Sequence, residues 1–289
     1  MELEFSKMHG LGNDFIVIED MDEELDFAPE AIEWLCDRNF GIGADGLILV
    51  QPGRADGDFF MAYYNADGNA AEMCGNGIRC LAKYVVDHDL VDEDRDEIVV
   101  DTLVGSKTIQ ITRDYEGMLY LATVDMGAPI LDPALVPTTI DDDMVVDCPI
   151  TTDLGEYRVT TVSMGNPHAI IVVDDVDTAP VATVGPLIEN DPRFPKKTNV
   201  EFAQLVDEET IALRVWERGV GETLACGTGA CATLIAFNLL CLTAREAVVE
   251  LPGGELAIRW AEDDHVYMTG PAEEVFQGLI PVPEDDGEA

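Results

Sequence analysis

Short runs of alternating or continuous hydrophobic residues dominate the chain, and they predict a strand-rich fold with a few helices. In the first half the pattern predicts strands over 3–8, 15–19, 46–51, 58–64, 98–102, 106–113 and 118–126. In the second half it predicts strands over 157–164, 169–173, 199–205, 210–216, 247–251, 256–260 and 266–269. Apolar residues at helical spacing predict helices over 29–39, from 75 onward, over 178–189 and from 227 onward.

One short motif opens two of these helices, about half a chain apart. CGNG at 74–77 begins the first strongly predicted helix, and CGTG at 226–229 begins the last. A motif repeated at the same place in two similar halves predicts pseudo-two-fold symmetry with a cleft between the halves. We expect a first half over 1–117, a second half over 118–270, and a final segment, 271–289, that returns to the first half.

A cysteine at a helix start is well placed for acid–base chemistry. The first-turn N–H groups have no helical partner, and the helix dipole is positive there. Glycine lets a ligand approach that backbone closely, which makes an anion site suited to a carboxylate or phosphate. The same field lowers the pKa of a thiol. A single such cysteine is as readily structural, but two matched elements favour a function.

Two thiols on opposite faces of one carbon can remove a proton from one face and deliver a proton to the other. One must start as a thiolate and the other as a neutral thiol, and the result is inversion of the stereocentre. The helix starts would stabilise the charge that develops on a neighbouring carboxylate, so no cofactor is expected. No lysine is convincing for pyridoxal phosphate, because Lys83 lies inside a predicted helix and Lys196 and Lys197 adjoin a proline-rich turn.

Composition and charge exclude several classes of function. Of the 289 residues 47% are hydrophobic, which is enough for a sizeable core and argues against long-range disorder. No apolar run is long enough for a membrane span, and the start has neither the basic nor the apolar part of a signal peptide, so we expect a cytoplasmic protein. A net charge of −42 excludes a nucleic-acid partner and disfavours an anionic membrane. Seven cysteines, without an export signal, argue against a disulfide framework, and most should be buried.

Longer motifs surround the two cysteines and carry a family resemblance. They are KMHGLGNDF at 7–15, GIGADG at 41–46, NADG at 65–68, EMCGNGIRC at 72–80, GNPH at 165–168 and ERGVGETLACGTGAC at 217–231. With these motifs the chain resembles the diaminopimelate epimerases, cofactor-independent amino-acid epimerases of lysine biosynthesis. The resemblance extends along nearly the whole chain, and the combination of motifs is specific.

The resemblance implies an α+β fold of two α/β halves, each a sheet wrapped around a long central helix. It implies interconversion of LL- and meso-2,6-diaminopimelate, with Cys74 and Cys226 as the base and acid, no cofactor, no metal and a homodimer. The amides of the first turns would hold the reacting carboxylate, and these belong to Gly75, Asn76, Gly227 and Thr228. The implied substrate-binding side chains are those of Asn13, Asn65, Asn166, Asn199, Glu217 and Arg218. His168 and Glu217 would tune the thiols.

Several of these residues also have a structural interpretation. Asn13 and Asn65 stand in glycine-containing turns, where asparagine is favoured for its backbone conformation alone. Glu217 and Arg218 could form a surface pair, and His168 could be structural.

Gly46 departs from the family pattern, and three further cysteines have a structural interpretation. Some members have glutamine where this chain has Gly46, and that glutamine contacts substrate there, so we expect the contact to be absent here or made by the backbone. Cys80, Cys231 and Cys241 are predicted to lie inside helices as core residues.

Three other functions stay open. A proline or hydroxyproline racemase or epimerase of the two-thiol type would share both cysteines but would not need a site for a distal carboxylate and ammonium. A non-catalytic amino-acid-binding protein could use the same scaffold. A thiol redox or zinc protein is disfavoured, because the chain has no Cys-x-x-Cys pair and no histidines spaced as zinc ligands.

The acidic composition predicts that the fold depends on salt. With 58 acidic against 16 basic residues, surface repulsion is strong unless it is screened, and at about 1 M salt the screening length falls to about 3 Å. We therefore expect a salt-adapted protein that unfolds on dilution into low salt, measured by circular dichroism across a KCl series. Recovery on return of KCl would separate charge repulsion from aggregation, and a spectrum unchanged by desalting would contradict the prediction.

Overall fold

The computed structural model describes residues 2–281, which divide into two compact units. The N unit comprises the described residues up to Val124 together with those from Pro271 on, and the C unit comprises Asp125–Gly270. The acidic end at 284–289, which the sequence suggests is disordered, lies outside the described residues.

Within residues 2–281 the chain forms eighteen strands and four helices. The strands are β1 Glu2–Gly10, β2 Asn13–Glu19, β3 Gly46–Pro52, β4 Phe59–Asn65, β5 Ala70–Ala71, β6 Glu97–Thr102, β7 Gly105–Arg113, β8 Leu119–Asp125, β9 Cys148–Thr152, β10 Gly155–Ser163, β11 Pro167–Val172, β12 Asn199–Asp207, β13 Thr210–Glu217, β14 Gly221–Thr223, β15 Glu246–Leu251, β16 Gly254–Trp260, β17 Val266–Gly270 and β18 Glu273–Pro281. The helices are α1 Pro29–Cys36, α2 Gly75–Asp87, α3 Val181–Glu189 and α4 Gly227–Leu239. None of the helices in this part of the chain has the length and apolar character needed to span a membrane.

The two units repeat one strand order. The N-unit order is β18, β1, β2, β3, β4, β6, β7, β8, with β5 added to β4. The C-unit order is β9, β10, β11, β12, β13, β15, β16, β17, with β14 added to β13. The parallel pairs fall at the same places, β2–β3 and β4–β6 in one unit and β11–β12 and β13–β15 in the other. The predicted pseudo-symmetric halves are therefore confirmed. β8 pairs with β7, and all of it except Asp125 belongs to the N unit, whereas the sequence-based boundary falls before this strand.

Helices cover both faces of the N-unit sheet. On one face Ile32 and Leu35 of α1 pack in a cluster with Ile16 and Leu47. Since side chains alternate along a strand, Ile48 points to the other face, towards the start of α2. α2 is therefore held against a buried apolar sheet surface.

The C unit is built in the same way. Val184 and Ile188 of α3 pack against Val200 and Phe202 of β12. On the other face lies α4, in which every residue of 229–237 is buried. The long central helix expected in this half is confirmed.

Two helices are shorter than the sequence predicts. α1 ends at Cys36 instead of 39, because the Asp37 carboxylate accepts hydrogen bonds from the N–H groups of Asn39 at 2.7 Å and Phe40 at 2.9 Å and forms a turn. α3 begins at Val181 instead of 178, because Pro180 disfavours helical backbone in the residue before it.

The cysteines follow the prediction with one exception. Four of the seven are buried, namely Cys36, Cys80, Cys226 and Cys231. Cys241, predicted to lie inside a helix in the core, is exposed, because α4 ends at Leu239 and Cys241 turns into left-handed backbone with φ 59°. The sequence pattern also misses the short strands β5, β9 and β14 and the largely exposed β18.

Candidate active site

Cys74 and Cys226 occupy the same position in two helices. Each is the residue before the first helical turn and has extended backbone, with φ/ψ of −133°/122° for Cys74 and −130°/106° for Cys226. The carbonyl of each accepts the first helical hydrogen bond at 2.9 Å, from the N–H of Ile78 and of Ala230 respectively. The structure thus places both predicted thiols at helix starts with matching local geometry.

Glycine at the third helical position lets the underlying strand approach each first turn. An added Cβ at Gly229 would lie 2.9 Å from Oε1 of Glu201 and 3.3 Å from Sγ of Cys226. An added Cβ at Gly77 would lie 3.0 Å from Cδ1 of Ile48. The second glycine of each motif is therefore needed for close packing against β3 or β12.

In the N unit two predicted binding residues meet the thiol. Oδ1 of Asn13 lies 3.6 Å from Sγ of Cys74 and accepts a hydrogen bond from Nδ2 of Asn76 at 3.2 Å. Nδ2 of Asn13 donates to Oδ2 of Asp45 at 2.8 Å. Asp45 thereby decides which end of the Asn13 amide faces Cys74.

A charge network holds Asp45 and the turn around Asn13. The Arg38 guanidinium lies 2.7 Å from carboxylate oxygens of both Asp14 and Asp45, and the Lys7 ammonium contacts Asp14. Burial by itself raises the pKa of Asp14, but the hydrogen bonds from Arg38 and Lys7 outweigh it and bring that pKa well below its usual range. Asp14 is therefore ionised throughout the neutral range, and the network stays intact.

Arg79 is fully buried next to the first turn of α2. Its guanidinium donates to the carbonyl of Gly75 at 2.9 Å, to Oδ1 of Asn76 at 3.1 Å and to the carbonyl of Pro271 at 3.1 Å. A positive charge therefore lies close to the helix start that Cys74 precedes. Burial raises the pKa of the next residue, Cys80, to about 12, as expected for a core thiol.

In the C unit a chain of side chains leads to the second thiol. Oγ1 of Thr228 lies 3.5 Å from Sγ of Cys226 and accepts a hydrogen bond from Nδ2 of Asn166 at 3.2 Å. Oδ1 of Asn166 lies 3.0 Å from Nε2 of His168, which is fully buried. The structure thus brings together three of the predicted residues around Cys226.

Carboxyl groups surround Cys226 on its buried side. Burial raises the pKa of Cys226 well above its ordinary value, and any negative charge on the nearby Glu217 or Glu201 raises it further. The Thr228 hydroxyl and the Gly229 N–H lower it by less. Burial also raises the pKa of Glu217, which accepts a hydrogen bond from the Thr223 hydroxyl at 2.5 Å. Cys226 is accordingly a neutral thiol at neutral pH.

Comparison with known proteins identifies the family. The family profile described as diaminopimelate epimerase matches residues 5–131 and 160–275. The chain belongs to the diaminopimelate epimerase family. The diaminopimelate epimerase of Synechococcus elongatus is 49% identical over 283 residues, which cover 97% of this chain and 99% of the relative. That of Methanococcus maripaludis is 47% identical over 281 residues, covering 97% of this chain and 100% of the relative. The resemblance carried by the motifs is confirmed.

The fold recurs in a solved structure of much lower sequence similarity. A hydroxyproline epimerase from Agrobacterium vitis, solved with bound trans-4-hydroxy-L-proline, superposes with a TM-score of 0.69 at 14% identity. The match covers 98% of this chain and 94% of the other.

Gly46 stands where some members of the diaminopimelate epimerase family have glutamine. A Cβ at Gly46 would lie 2.6 Å from the carbonyl oxygen of Tyr64 and 2.8 Å from Cε2 of Tyr63. The Tyr63 ring fills this space and its hydroxyl donates to Oδ1 of Asn65 at 2.9 Å. A side chain at 46 has no room on this backbone, and Tyr63 positions the predicted binding residue Asn65.

Asn199 joins two turns that carry predicted site residues. It is buried, its Nδ2 donates to the carbonyl of Pro167 at 2.9 Å, and its Oδ1 accepts from the N–H of Arg218 at 2.8 Å. The exposed Arg218 guanidinium donates to the carbonyl of Lys196 at 3.1 Å. Asn199 thus has a clear positional role, and substrate contact by Asn199 and Arg218 stays a prediction.

Sequence reasoning missed Asp45, Arg79 and Glu201, which contact predicted site residues, and it missed Arg38, which holds Asp45. Asp45 and Arg79 lie inside the GIGADG and EMCGNGIRC motifs, so a charged residue within a glycine-containing motif was a signal that could have been used. Within residues 2–281, no group of three or more His, Cys, Asp or Glu residues is arranged to hold a metal ion.

The crowding at Gly46 predicts that restoring the glutamine destabilises this protein. The Gly46→Gln variant should lose about 1–3 kcal/mol of unfolding free energy, because the nearest atom to the new Cβ belongs to the backbone of β4 and cannot move alone. Chemical denaturation in high salt measures the loss. Gly46→Ala adds the same Cβ without the amide and should lose a similar amount. Wild-type stability in either variant would contradict the packing argument.

Proposed function

We propose that this protein interconverts LL- and meso-2,6-diaminopimelate by proton transfer between Cys74, Cys226 and the substrate α-carbon. Membership of the diaminopimelate epimerase family over nearly the full length supports the reaction. The observation that carries the assignment of residues is the matched pair of cysteines, each placed directly before the first turn of a helix.

In this mechanism one sulfur removes the α-proton as a thiolate and the other delivers a proton to the opposite face. The electron pair left on the α-carbon spreads into the neighbouring carboxylate. First-turn N–H groups would stabilise that growing negative charge, and these belong to Gly75, Asn76, Gly227 and Thr228. The reverse reaction exchanges the roles of the two sulfurs.

The high pKa of Cys226 supports its assignment as the first proton donor. A neutral thiol is the state needed for the acid, and Cys74 then acts as the base in that direction. Once Cys226 has given up its proton, the Thr228 hydroxyl and the Gly229 N–H can donate to the thiolate. His168 acts on this thiol through Asn166 and Thr228, and Glu217 acts on it directly as a neighbour of Cys226.

The remaining predicted residues suit the distal end of the substrate, which carries an ammonium and a carboxylate. Arg218 is exposed and can bind a carboxylate bidentately, and Glu217 can accept from an ammonium. Asn65 and Asn166 offer both donors and acceptors. We further propose a cytoplasmic enzyme of lysine biosynthesis, and the homodimer expected from the family stays a prediction.

Replacement of either cysteine should remove the reaction. Cys74→Ala and Cys226→Ala are each expected to lower kcat for LL-diaminopimelate by about 10²- to 10⁴-fold, since each variant lacks one of the two proton carriers. The measurement is conversion to the meso isomer in concentrated KCl without pyridoxal phosphate, with deuterium from the solvent appearing at the product α-carbon. Cys241→Ala removes an exposed thiol outside both helix starts and should keep wild-type activity. Full turnover by either site variant would rule out the pairing.

Substrate preference separates this proposal from a proline-type racemase. Arg218→Met should lower kcat/KM for diaminopimelate by about 10- to 100-fold, the loss expected for a hydrogen bond between charged groups. Arg259→Met, which removes a guanidinium lying over the Tyr267 ring, is the matched control and should change little. Turnover of proline or 4-hydroxyproline in preference to diaminopimelate, with no effect of Arg218→Met, would favour the alternative.

A further inference from the structure

Glu201 breaks the internal symmetry of the molecule at a buried position. In the parallel pairs, Glu201 of β12 lies opposite Ile170, and Ile48 of β3 lies opposite Val17. Glu201 and Ile48 are each the third residue of their strand. Glu201 and Ile48 also approach equivalent helix glycines, Gly229 and Gly77. The N unit fills this position with an apolar side chain. The fold by itself therefore has no need of a carboxyl group there.

The carboxyl group of Glu201 has one strong partner. Its Oε1 lies 2.6 Å from Nδ1 of His168, and both side chains are fully buried. Among residues 2–281, Oε2 has no hydrogen-bond partner. A buried carboxylate oxygen without a partner is costly, whereas the carbonyl oxygen of a neutral carboxylic acid tolerates the same place better.

The orientation of the Asn166 amide fixes which nitrogen of His168 carries a hydrogen. Nδ2 of Asn166 donates to Thr228, so Oδ1 of Asn166 is the acceptor that faces His168. Nε2 of His168 must then carry a hydrogen and donate. With Nε2 protonated, a neutral His168 ring presents a lone pair at Nδ1, which accepts from a protonated Glu201. At the other end, Thr228 accepts from Asn166, which leaves its own hydrogen available to the Cys226 sulfur, 3.5 Å from Oγ1.

We propose that Glu201 is a positioning residue for the Cys226 thiol, acting as a neutral acid that donates to Nδ1 of His168. Its O–H sets the ring tautomer, and the chain His168, Asn166, Thr228 then presents a hydroxyl hydrogen to the sulfur. Aligned hydrogen bonds strengthen one another. The chain therefore stabilises the thiolate that Cys226 becomes after it delivers its proton. This role in catalysis rests on the proposed epimerase function.

The surroundings of Glu201 favour the neutral state. Burial raises the pKa of Glu201, and the effects of His168 and nearby backbone N–H groups that lower it are smaller. The titratable groups facing it are His168 on β11, Glu217 at the end of β13 and Cys226 before α4. Its strand neighbours Val200 and Phe202 point to the opposite face, against α3.

Two variants test whether Glu201 acts as a hydrogen-bond donor or as a negatively charged carboxylate. Glu201→Gln keeps a donor for Nδ1 of His168 and should retain kcat within about threefold of wild type, whereas Glu201→Ile, the residue type of the N unit, should lower kcat by at least about tenfold with little change in KM. Equal losses in both variants would overturn the proposal. If Glu201→Ile does not fold, the kinetics of Glu201→Gln, the NMR tautomer of His168 and the pH dependence of Tm still test the proposal.

Nitrogen-15 NMR of histidine-labelled protein reads the tautomer directly. His168 should be neutral, with hydrogen on Nε2 and an accepting Nδ1, in both the wild type and Glu201→Gln near pH 7. A doubly protonated His168 ring in the wild type would overturn the proposal, since Glu201 would then be a carboxylate.

The pH dependence of stability gives a third readout, in concentrated KCl. A folded-state pKa above the unfolded value of about 4.3 means that Glu201 contributes stability at low pH, and that this contribution is lost as the pH rises through the folded-state pKa. Glutamine has no proton to lose, so the Tm of Glu201→Gln should rise relative to wild type from pH 4 towards pH 8. A constant difference in Tm would count against a neutral Glu201. Absence of diaminopimelate turnover in the wild type would defeat the proposed function, while NMR and the Tm series would still decide the state of Glu201.

Discussion

The first turn of each central helix is the constraint on which the site depends. A buried helix start carries N–H groups that need acceptors, and most helices supply one from a serine, threonine, aspartate or asparagine before the first turn. Cys74 and Cys226 stand at that place, and neither side chain caps its helix. A substrate carboxylate can take the role that a capping side chain has elsewhere. In the proposed mechanism the same first-turn geometry binds the carboxylate and holds a sulfur beside it.

Two closely similar backbones around these turns carry different side chains. In the N unit, Asn13 is oriented by Asp45, and ionised side chains hold that pair. In the C unit, Thr228 and Asn166 lead away from the sulfur into a fully buried pair of His168 and a carboxyl group. Equal surroundings would give two equivalent thiols, whereas the proposed proton transfer needs one base and one acid at a time. The unequal surroundings of Cys74 and Cys226 suit that proposal.

The sequence predicts the part of this arrangement that local physics determines. Cys-Gly-x-Gly before an apolar helix is a contiguous signal, and its repetition predicts both the symmetry and the two thiols. Glu201 gives no such signal, because it is one of 58 acidic residues and lies in an ordinary alternating strand. Its importance depends on the register of β11 with β12, which sets it against His168, and on the helix glycine above it. The prediction for Cys241 is wrong for a related reason, since apolar spacing continues to Leu242, whereas α4 ends at Leu239 and Cys241 has left-handed backbone.

The strong negative charge of the protein is compatible with the proposed substrate. Diaminopimelate has two ammonium and two carboxylate groups, so it carries no net charge at neutral pH and is not repelled as a whole. Its carboxylates would be repelled locally, yet the groups proposed to bind the reacting one are backbone N–H donors at helix starts, which do not titrate. Three of the few bases of the chain, Lys7, Arg38 and Arg79, are committed to side-chain and carbonyl partners around the N-unit helix start. In the proposed site, anion binding depends on backbone dipoles, which substitutions on the acidic surface leave unchanged.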